Sequence, residues 1–133
     1  ARLGGGRVHV VFQPHRHTRT ADCFAAFAES FDQAHAVALL PVYAAGETPI
    51  AGAGSAELAT ALRERRHGLG EETVAFCPEP AAAIAHLAAL AMPSDTVLVL
   101  GAGDVGRLAP EIVAHFQLAP ARESPGPVRT VKA

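Results

Sequence analysis

Four short apolar segments recur along this chain, and each is followed by a loop and then by a segment with helical periodicity. The apolar segments are rich in β-branched residues and span residues 8–12, 36–42, 73–77 and 96–100. Short apolar segments bounded by glycine or proline are typical of strands buried on both faces of a sheet. The alternation therefore predicts an α/β fold: a three-layer, Rossmann-like domain with a mostly parallel sheet and helices on both faces.

Apolar residues at helical spacing mark the segments between the predicted strands. In the first segment Phe24, Phe27 and Phe31 recur at intervals of three and four residues, which places them on one face of a helix. The second helix is predicted to begin near Ser55, whose hydroxyl is suited to cap the first turn. The last two helices carry their apolar faces on Ile84, Leu87 and Leu90, and on Leu108, Ile112 and Phe116.

The length of 133 residues is that of one domain. Residues 1–117 contain all of the predicted strands and helices and are expected to form that domain. Residues 118–133 contain four prolines or glycines, few apolar side chains and no periodicity. This last segment is therefore predicted to be a disordered tail.

Composition argues against several classes of partner. A formal net charge of −2 provides no positive field for nucleic acid or an anionic membrane. No apolar segment reaches the ~18 residues of a membrane span, and residues 1–10 lack the apolar core of a signal peptide. Only two cysteines are present, and they form no C-x-x-C pair, which favours a reducing compartment. We therefore expect a cytoplasmic protein without nucleic-acid or membrane partners.

The loop after the first predicted strand carries two arginines and two histidines within residues 13–20. In parallel sheets, ligands bind at the carboxyl edge, where such loops emerge. Arg16 and Arg19 lie at the start of the following helix, and guanidiniums beside a helix N-terminus favour a carboxylate or phosphate. The alternative is an exposed basic loop without a ligand. His15 and His17 have no third ligand nearby in sequence, so no metal site is predicted.

Two further loops at this edge carry unusual residues. The second holds Tyr43 and Glu47; the carboxylate could pair with the arginines, contact an ammonium group or be solvated. The last matches G-x-G-x-x-G at residues 101–106, a pattern seen in dinucleotide sites. No later strand supplies the acidic residue that would bind the ribose, because Glu123 lies in the predicted tail. The glycines are therefore interpreted as a loop whose backbone approaches some ligand closely.

Three segments resemble the C-terminal domain of the Mur ligase family and, within it, of the branch that adds L-alanine. They are FQPHRHTRT at residues 12–20, YAAGETPI at residues 43–50 and GAGDVGR at residues 101–107, in the family's order and at its intervals. The resemblance covers residues 7–117. The chain departs from the family at His17, where the family usually has tyrosine.

The resemblance implies a role in bacterial peptidoglycan synthesis. It implies an ATP-dependent ligase with Mg²⁺, in which the lactyl carboxylate of UDP-N-acetylmuramate becomes an acyl phosphate that the amine of L-alanine attacks. The C-terminal domain then brings the amino acid to the central domain. The substrate-binding residues that the resemblance implies are His15, Arg16 and Arg19 as a carboxylate clamp, with Tyr43, Glu47, Gly101, Ala102, Gly103 and Asp104 near the bound ligands. It assigns no catalytic or metal-ligating residue to this chain.

Other parts of the family pattern have no counterpart in these 133 residues. They lack the Walker-type phosphate loop, the modified lysine, the sugar-nucleotide domain and a D-D-Y-x-H-H-P segment, and the only lysine is Lys132. We therefore expect part of a larger ligase, whose N-terminal and central domains are its partners, inactive alone and binding neither ATP nor Mg²⁺ by itself. Two alternatives remain open: a free-standing Rossmann-like module for a nucleotide or small anion, and a non-catalytic interaction domain.

Overall fold

Parallel strands form the sheet at the centre of the protein. The structure is a computed structural model that describes residues 2–3, 5–66, 68–118 and 128–131. In that part of the chain the strands are β1 (Arg2–Leu3), β2 (Gly6–Gln13), β3 (Ala36–Leu39), β4 (Val74–Phe76), β5 (Thr96–Gly101) and β6 (Val128–Val131). Five of them pair in parallel in the order β4-β3-β2-β5-β6, and β1 pairs antiparallel with β2.

Helices connect these strands as the sequence pattern predicts. They are α1 (His17–Asp22), α2 (Phe24–Ser30), α3 (Ser55–Arg65), α4 (Pro80–Leu90) and α5 (Leu108–Leu118), with 3-10 turns at Glu71–Thr73 and Asp104–Arg107. The predicted α/β, Rossmann-like fold is thus confirmed. Within the described residues, no helix is long and apolar enough to cross a membrane.

The two faces of the sheet carry separate cores. Side chains alternate along a strand, so Val8, Val10 and Phe12 of β2 face one core and Val11 faces the other. The first core is closed by α2 and α3, and the second by α4 and α5. This arrangement leaves the strand-to-helix loops together at the carboxyl edge.

The first two helical segments differ in detail from the prediction. The first is broken at Cys23, whose φ of −102° and ψ of 11° separate α1 from α2, although the phenylalanine stripe still packs on the core. The cap of α3 is Gly54, not Ser55. The buried Ser55 hydroxyl donates instead to the carbonyl of Leu40, 2.6 Å away, because β3 ends at Leu39 and leaves this buried carbonyl needing a donor.

The predicted disordered tail needs correction at its end. Val128–Val131 forms β6, which extends the sheet beside β5. Three of its four residues are β-branched, which suits a strand, and the outer edge of β5 offers backbone groups that require partners. Leu118 belongs to α5. Residues 119–127 and 132–133 lie outside the described residues, so the prediction stands untested there.

A buried polar network ties β2 to β5 at the opposite, amino edge of the sheet. The Asp95 carboxylate accepts hydrogen bonds from the backbone N–H groups of Arg7 and Met92 and from the Arg7 guanidinium, and it lies 2.7 Å from His9 Nε2. Burial tends to raise the pKa of Asp95, but these donors hold it far below its usual range. Burial lowers the pKa of His9, whose side chain is fully enclosed.

Candidate functional site

Two loops meet beside the point where the strand order reverses. The chain runs from β2 to β3 and β4 on one side, then crosses to β5 on the other, so a crevice opens beyond the carboxyl ends of β2 and β5. Beyond the strands, the Tyr43 N–H donates to the Pro14 carbonyl and the Arg16 N–H donates to the Tyr43 carbonyl, both at 2.8 Å. The first and second predicted site loops are therefore held side by side.

Arg16 and Arg19 line one cleft at this edge. This arginine cleft has a volume of about 440 Å³ and is lined by His15, Arg16, Thr18, Arg19, Asp22 and Cys23. Both arginines are exposed, and among the described residues neither guanidinium donates a hydrogen bond to the protein. Arg16 has a φ of 64°, a left-handed conformation that is strained for a residue with a side chain. The structure thus places two unpaired cations at the start of α1.

Glu47 binds the first turn of α1 rather than the arginines. One carboxylate oxygen accepts the Thr18 N–H at 3.0 Å, and the other accepts the Thr18 hydroxyl at 2.8 Å. A turn with positive φ at Ala45 and Gly46 brings the carboxylate back to this position. The hydrogen bonds from Thr18, together with the charge of Arg16, lower the pKa of Glu47.

The sequence contains a weak signal for this contact, which our prediction missed. The first turn of α1 has no acidic residue of its own, although helix N-termini favour negative charge. Glu47, from another loop, supplies that charge. The binding role predicted for Glu47 thus remains a proposal, whereas its contact with Thr18 is a structural observation.

Replacing Glu47 with alanine should expose the Thr18 amide to solvent. We expect hydrogen exchange at this amide to accelerate several-fold because its acceptor is lost, whereas Glu47→Gln retains an acceptor oxygen and should change the rate less. Exchange followed by two-dimensional NMR measures both variants. Glu64→Ala, which removes an exposed carboxylate from α3, is the control. Equal Thr18 exchange rates in Glu47→Ala and wild type would contradict the assigned contact.

Close packing explains two of the three glycines of the last loop, whereas a Cβ atom on Gly106 would meet nothing within 4 Å. A Cβ atom on Gly103 would lie 2.7 Å from Cγ of Tyr43 and 3.1 Å from the side-chain oxygen of Gln13. A Cβ atom on Gly101 would lie 2.5 Å from Val105. The close backbone approach that the sequence predicts is therefore made to the protein's own side chains, and the ligand expected there stays a prediction.

Tyr43 and Asp104 line a second cleft, on the α4 and α5 side of the sheet. This tyrosine cleft has a volume of about 410 Å³; its lining includes Gln13, Val42, Tyr43, Pro78, Pro80, Asp104 and Arg107. It shares no lining residue with the arginine cleft. Of the predicted site residues, His15, Arg16 and Arg19 thus line one cleft and Tyr43 and Asp104 the other, while Glu47, Gly101, Ala102 and Gly103 line neither of them.

Gln13 is a site residue that our sequence analysis did not single out. It is the last residue of β2, and its side-chain oxygen is buried without a hydrogen-bond partner in the described part of the protein. Its position directly after the apolar core of a central strand is the signal that could have identified it. In the same described residues, no three His, Cys, Asp or Glu side chains converge to hold a metal ion.

Comparison with known proteins adds to this geometry. The family model described as "Mur ligase, glutamate ligase domain" matches residues 1–103. The UDP-N-acetylmuramate–L-alanine ligase of Deinococcus radiodurans is 42% identical over 113 residues, which are 85% of this chain and 23% of that protein. The ligase of the same name from Anaeromyxobacter dehalogenans is 47% identical over 111 residues, 84% of this chain and 23% of that protein.

A third relative matches over a greater length. The UDP-N-acetylmuramate–L-alanine ligase of Mycobacterium avium is 38% identical over 126 residues, which are 95% of this chain and 24% of that protein. The chain therefore spans about a quarter of the length of these relatives.

Proposed function

Because the chain belongs to the Mur ligase family, whose glutamate ligase domain it matches over residues 1–103, we propose that it presents L-alanine for ligation to UDP-N-acetylmuramate in peptidoglycan synthesis. The relatives named as UDP-N-acetylmuramate–L-alanine ligases are about four times as long, so in this proposal the chain acts together with a sugar-nucleotide domain and a central domain. The reaction takes place in the cytoplasm.

The observation that carries this proposal is the pair of unpaired guanidiniums in the arginine cleft. A free amino acid offers one carboxylate, and arginine binds a carboxylate through two parallel hydrogen bonds. Arg16 and Arg19 would hold that group from two directions. A fixed carboxylate directs the amine, and such positioning can remove several kcal/mol from a reaction barrier.

Glu47 makes the arginine cleft more selective for a ligand with a single negative charge. Its carboxylate already accepts the Thr18 N–H in the first turn of α1, so the helix terminus has its own anion and the guanidiniums remain for the ligand. Because Asp22 lines the same cleft and the charge of Glu47 acts on Arg16, a ligand with one negative charge suits the two arginines better than a triphosphate does. This balance favours an amino acid over the nucleotide of the alternative hypothesis.

The described residues do not fit ATP and Mg²⁺, the cofactors that the family implies. Gly101 and Gly103 of the last loop pack against Val105 and Tyr43 and therefore form no open phosphate cradle, and among the described residues Asp104 belongs to no group of three His, Cys, Asp or Glu side chains that could hold a metal ion. When bound elsewhere in a complete ligase, ATP supplies the activation of the sugar carboxylate. The residues of this chain bind and orient the amino acid.

A fusion protein tests the proposal. The chain replaces the matching segment of the Deinococcus radiodurans ligase, and product formation is followed by mass spectrometry with UDP-N-acetylmuramate, ATP and L-alanine. We expect the fusion to make the alanine adduct, while the Deinococcus protein without this segment and the 133-residue chain alone make none. A fusion carrying the matching Anaeromyxobacter dehalogenans segment controls for the junction.

Two results would contradict the proposal. The first is a folded fusion that makes no adduct although the Anaeromyxobacter fusion is active. The second is tight binding of ATP or NAD by the 133-residue chain alone in equilibrium dialysis, which would favour the free-standing nucleotide module.

A further inference from the structure

The ring of Tyr43 stands between the two clefts. His15 lines the arginine cleft and Tyr43 lines the tyrosine cleft, and their rings stack at a centroid distance of 5.5 Å with an interplanar angle of 9°. Neither cleft contains the other's ring in its lining. The stacked pair is therefore the partition that keeps about 440 Å³ and about 410 Å³ of space apart.

Three sets of contacts hold this ring in place. The backbone of Tyr43 is hydrogen-bonded to Pro14 and Arg16, so its Cα position follows the arginine loop. His15 stacks on the ring, and Gly103 packs so closely that a Cβ atom there would lie 2.7 Å from the ring carbon Cγ. A ring fixed by a neighbouring loop, a stacked imidazole and a glycine does not rotate aside without breaking these contacts.

The chemistry of the arginine cleft indicates where the side chain of a bound amino acid lies. Arg16, Arg19, Thr18 and Asp22 are charged or polar, so they offer little to an aliphatic group. The remaining lining residues are His15 and Cys23, and the imidazole of His15 is the larger of these two less polar side chains. With the carboxylate on the guanidiniums, an aliphatic side chain gains most by packing against His15, away from water and from Asp22.

We propose that Tyr43 is a specificity-determining residue: by backing His15, it separates the arginine cleft from the apolar walls of the tyrosine cleft, so that a bound amino acid has little apolar surface beyond His15 on which to pack a side chain larger than a methyl group. This inference rests on the proposed function. Truncating the ring removes the backing of His15 and joins the cleft to the apolar walls of Val42, Pro78 and Pro80 beyond it. The joined space accommodates branched aliphatic side chains.

Amino-acid titrations of the 15N-labelled 133-residue chain test this inference. Wild type and Tyr43→Ala are titrated with L-alanine and with L-leucine, and the Kd values come from the amide shifts of residues 15–19. We expect the ratio of leucine to alanine affinity to rise about tenfold in Tyr43→Ala, the lower end of the effect of one methylene group in a hydrophobic pocket. Tyr43→Phe keeps the ring and should keep the wild-type ratio.

Two further variants distinguish the loss of the Tyr43 partition from a general loosening of the fold. Phe76→Ala truncates a ring of similar exposure, 38% against 40% for Tyr43, at the β4 edge of the sheet and should leave the ratio unchanged. Tyr43→Val opens the same partition with less loss of packing and replaces Tyr43→Ala if the latter loses spectral dispersion.

The outcomes distinguish the inference from the proposed function. Suppose that L-alanine shifts the amide signals of residues 15–19 but the ratio of leucine to alanine affinity stays at the wild-type value in both Tyr43→Ala and Tyr43→Val. The specificity role of Tyr43 is then wrong, whereas the proposed binding of an amino acid is retained. If L-alanine produces no shift at these residues in the wild-type chain, the amino-acid role fails and the inference fails with it.

Discussion

Replacing Asp95 with alanine should lower the free energy of unfolding by about 3 kcal/mol, the cost of leaving partners of a buried charge unpaired. Asp95 is 3% exposed and accepts hydrogen bonds from Arg7, from the backbone of Met92 and from the fully buried ring of His9. Without it, His9 loses the partner of its Nε2 atom. The side chain of Arg7 is 31% exposed and regains some water, so the loss falls at the lower end of the range for buried pairs.

Urea unfolding followed by circular dichroism measures this loss. Asp32→Ala is the matched control because Asp32 also pairs with an arginine, Arg65, but both side chains are largely exposed, 47% and 40%. Exposed ion pairs contribute little to stability, so Asp32→Ala should unfold at nearly the wild-type urea concentration. Equal unfolding midpoints for the two variants would show that the Asp95 network is not a principal support of the sheet.

Loss of Arg16 or Arg19 should weaken the use of L-alanine by about tenfold to a hundredfold each, the range for a charged hydrogen bond left unmade. In the Deinococcus fusion we expect the loss mainly in KM for L-alanine, because the arginines hold the carboxylate before and during the reaction. The double variant Arg16→Ala/Arg19→Ala should lose more than either single variant. Steady-state kinetics with varied L-alanine measure all three.

Two further variants sharpen the arginine test. Arg16→Lys keeps the positive charge but cannot bind a carboxylate in a bidentate manner. Its affinity for L-alanine should therefore lie between those of Arg16→Ala and wild type. Arg65→Ala removes an exposed arginine whose side chain pairs with Asp32 and should leave KM unchanged. A KM for L-alanine that stays at the wild-type value in both single alanine variants would remove the clamp assignment.

Local patterns predicted the secondary structure well where neighbouring residues decide it. The apolar segments became β2 to β5, and the phenylalanine stripe packed on the core although Cys23 divides its helix. The prediction was wrong at Ser55 and at Val128–Val131, where the decisive partners are the carbonyl of Leu40 and the edge of β5. Those partners are distant in sequence, so no local pattern reveals them.

In the candidate site, too, local features were predicted and contacts between distant residues were not. The arginines were predicted at the start of α1, since a charged loop after a buried strand is a local feature. The contact of Glu47 with Thr18, 29 residues away, was not predicted. Neither was the separation of the expected residues into two clefts by the stacked rings of His15 and Tyr43.

The sequence by itself determined the order of strands and helices, the face that each buries, and the presence of two arginines where the first strand ends. These features follow from periodicities of two and 3.6 residues and from the chemistry of adjacent side chains. Only the tertiary structure decided which loops meet: the strand order β4-β3-β2-β5-β6 and its register bring Tyr43 beside His15, and Asp95 beside His9. The physical reason is that these contacts join residues far apart in the chain, and their energies exist only once the sheet has assembled.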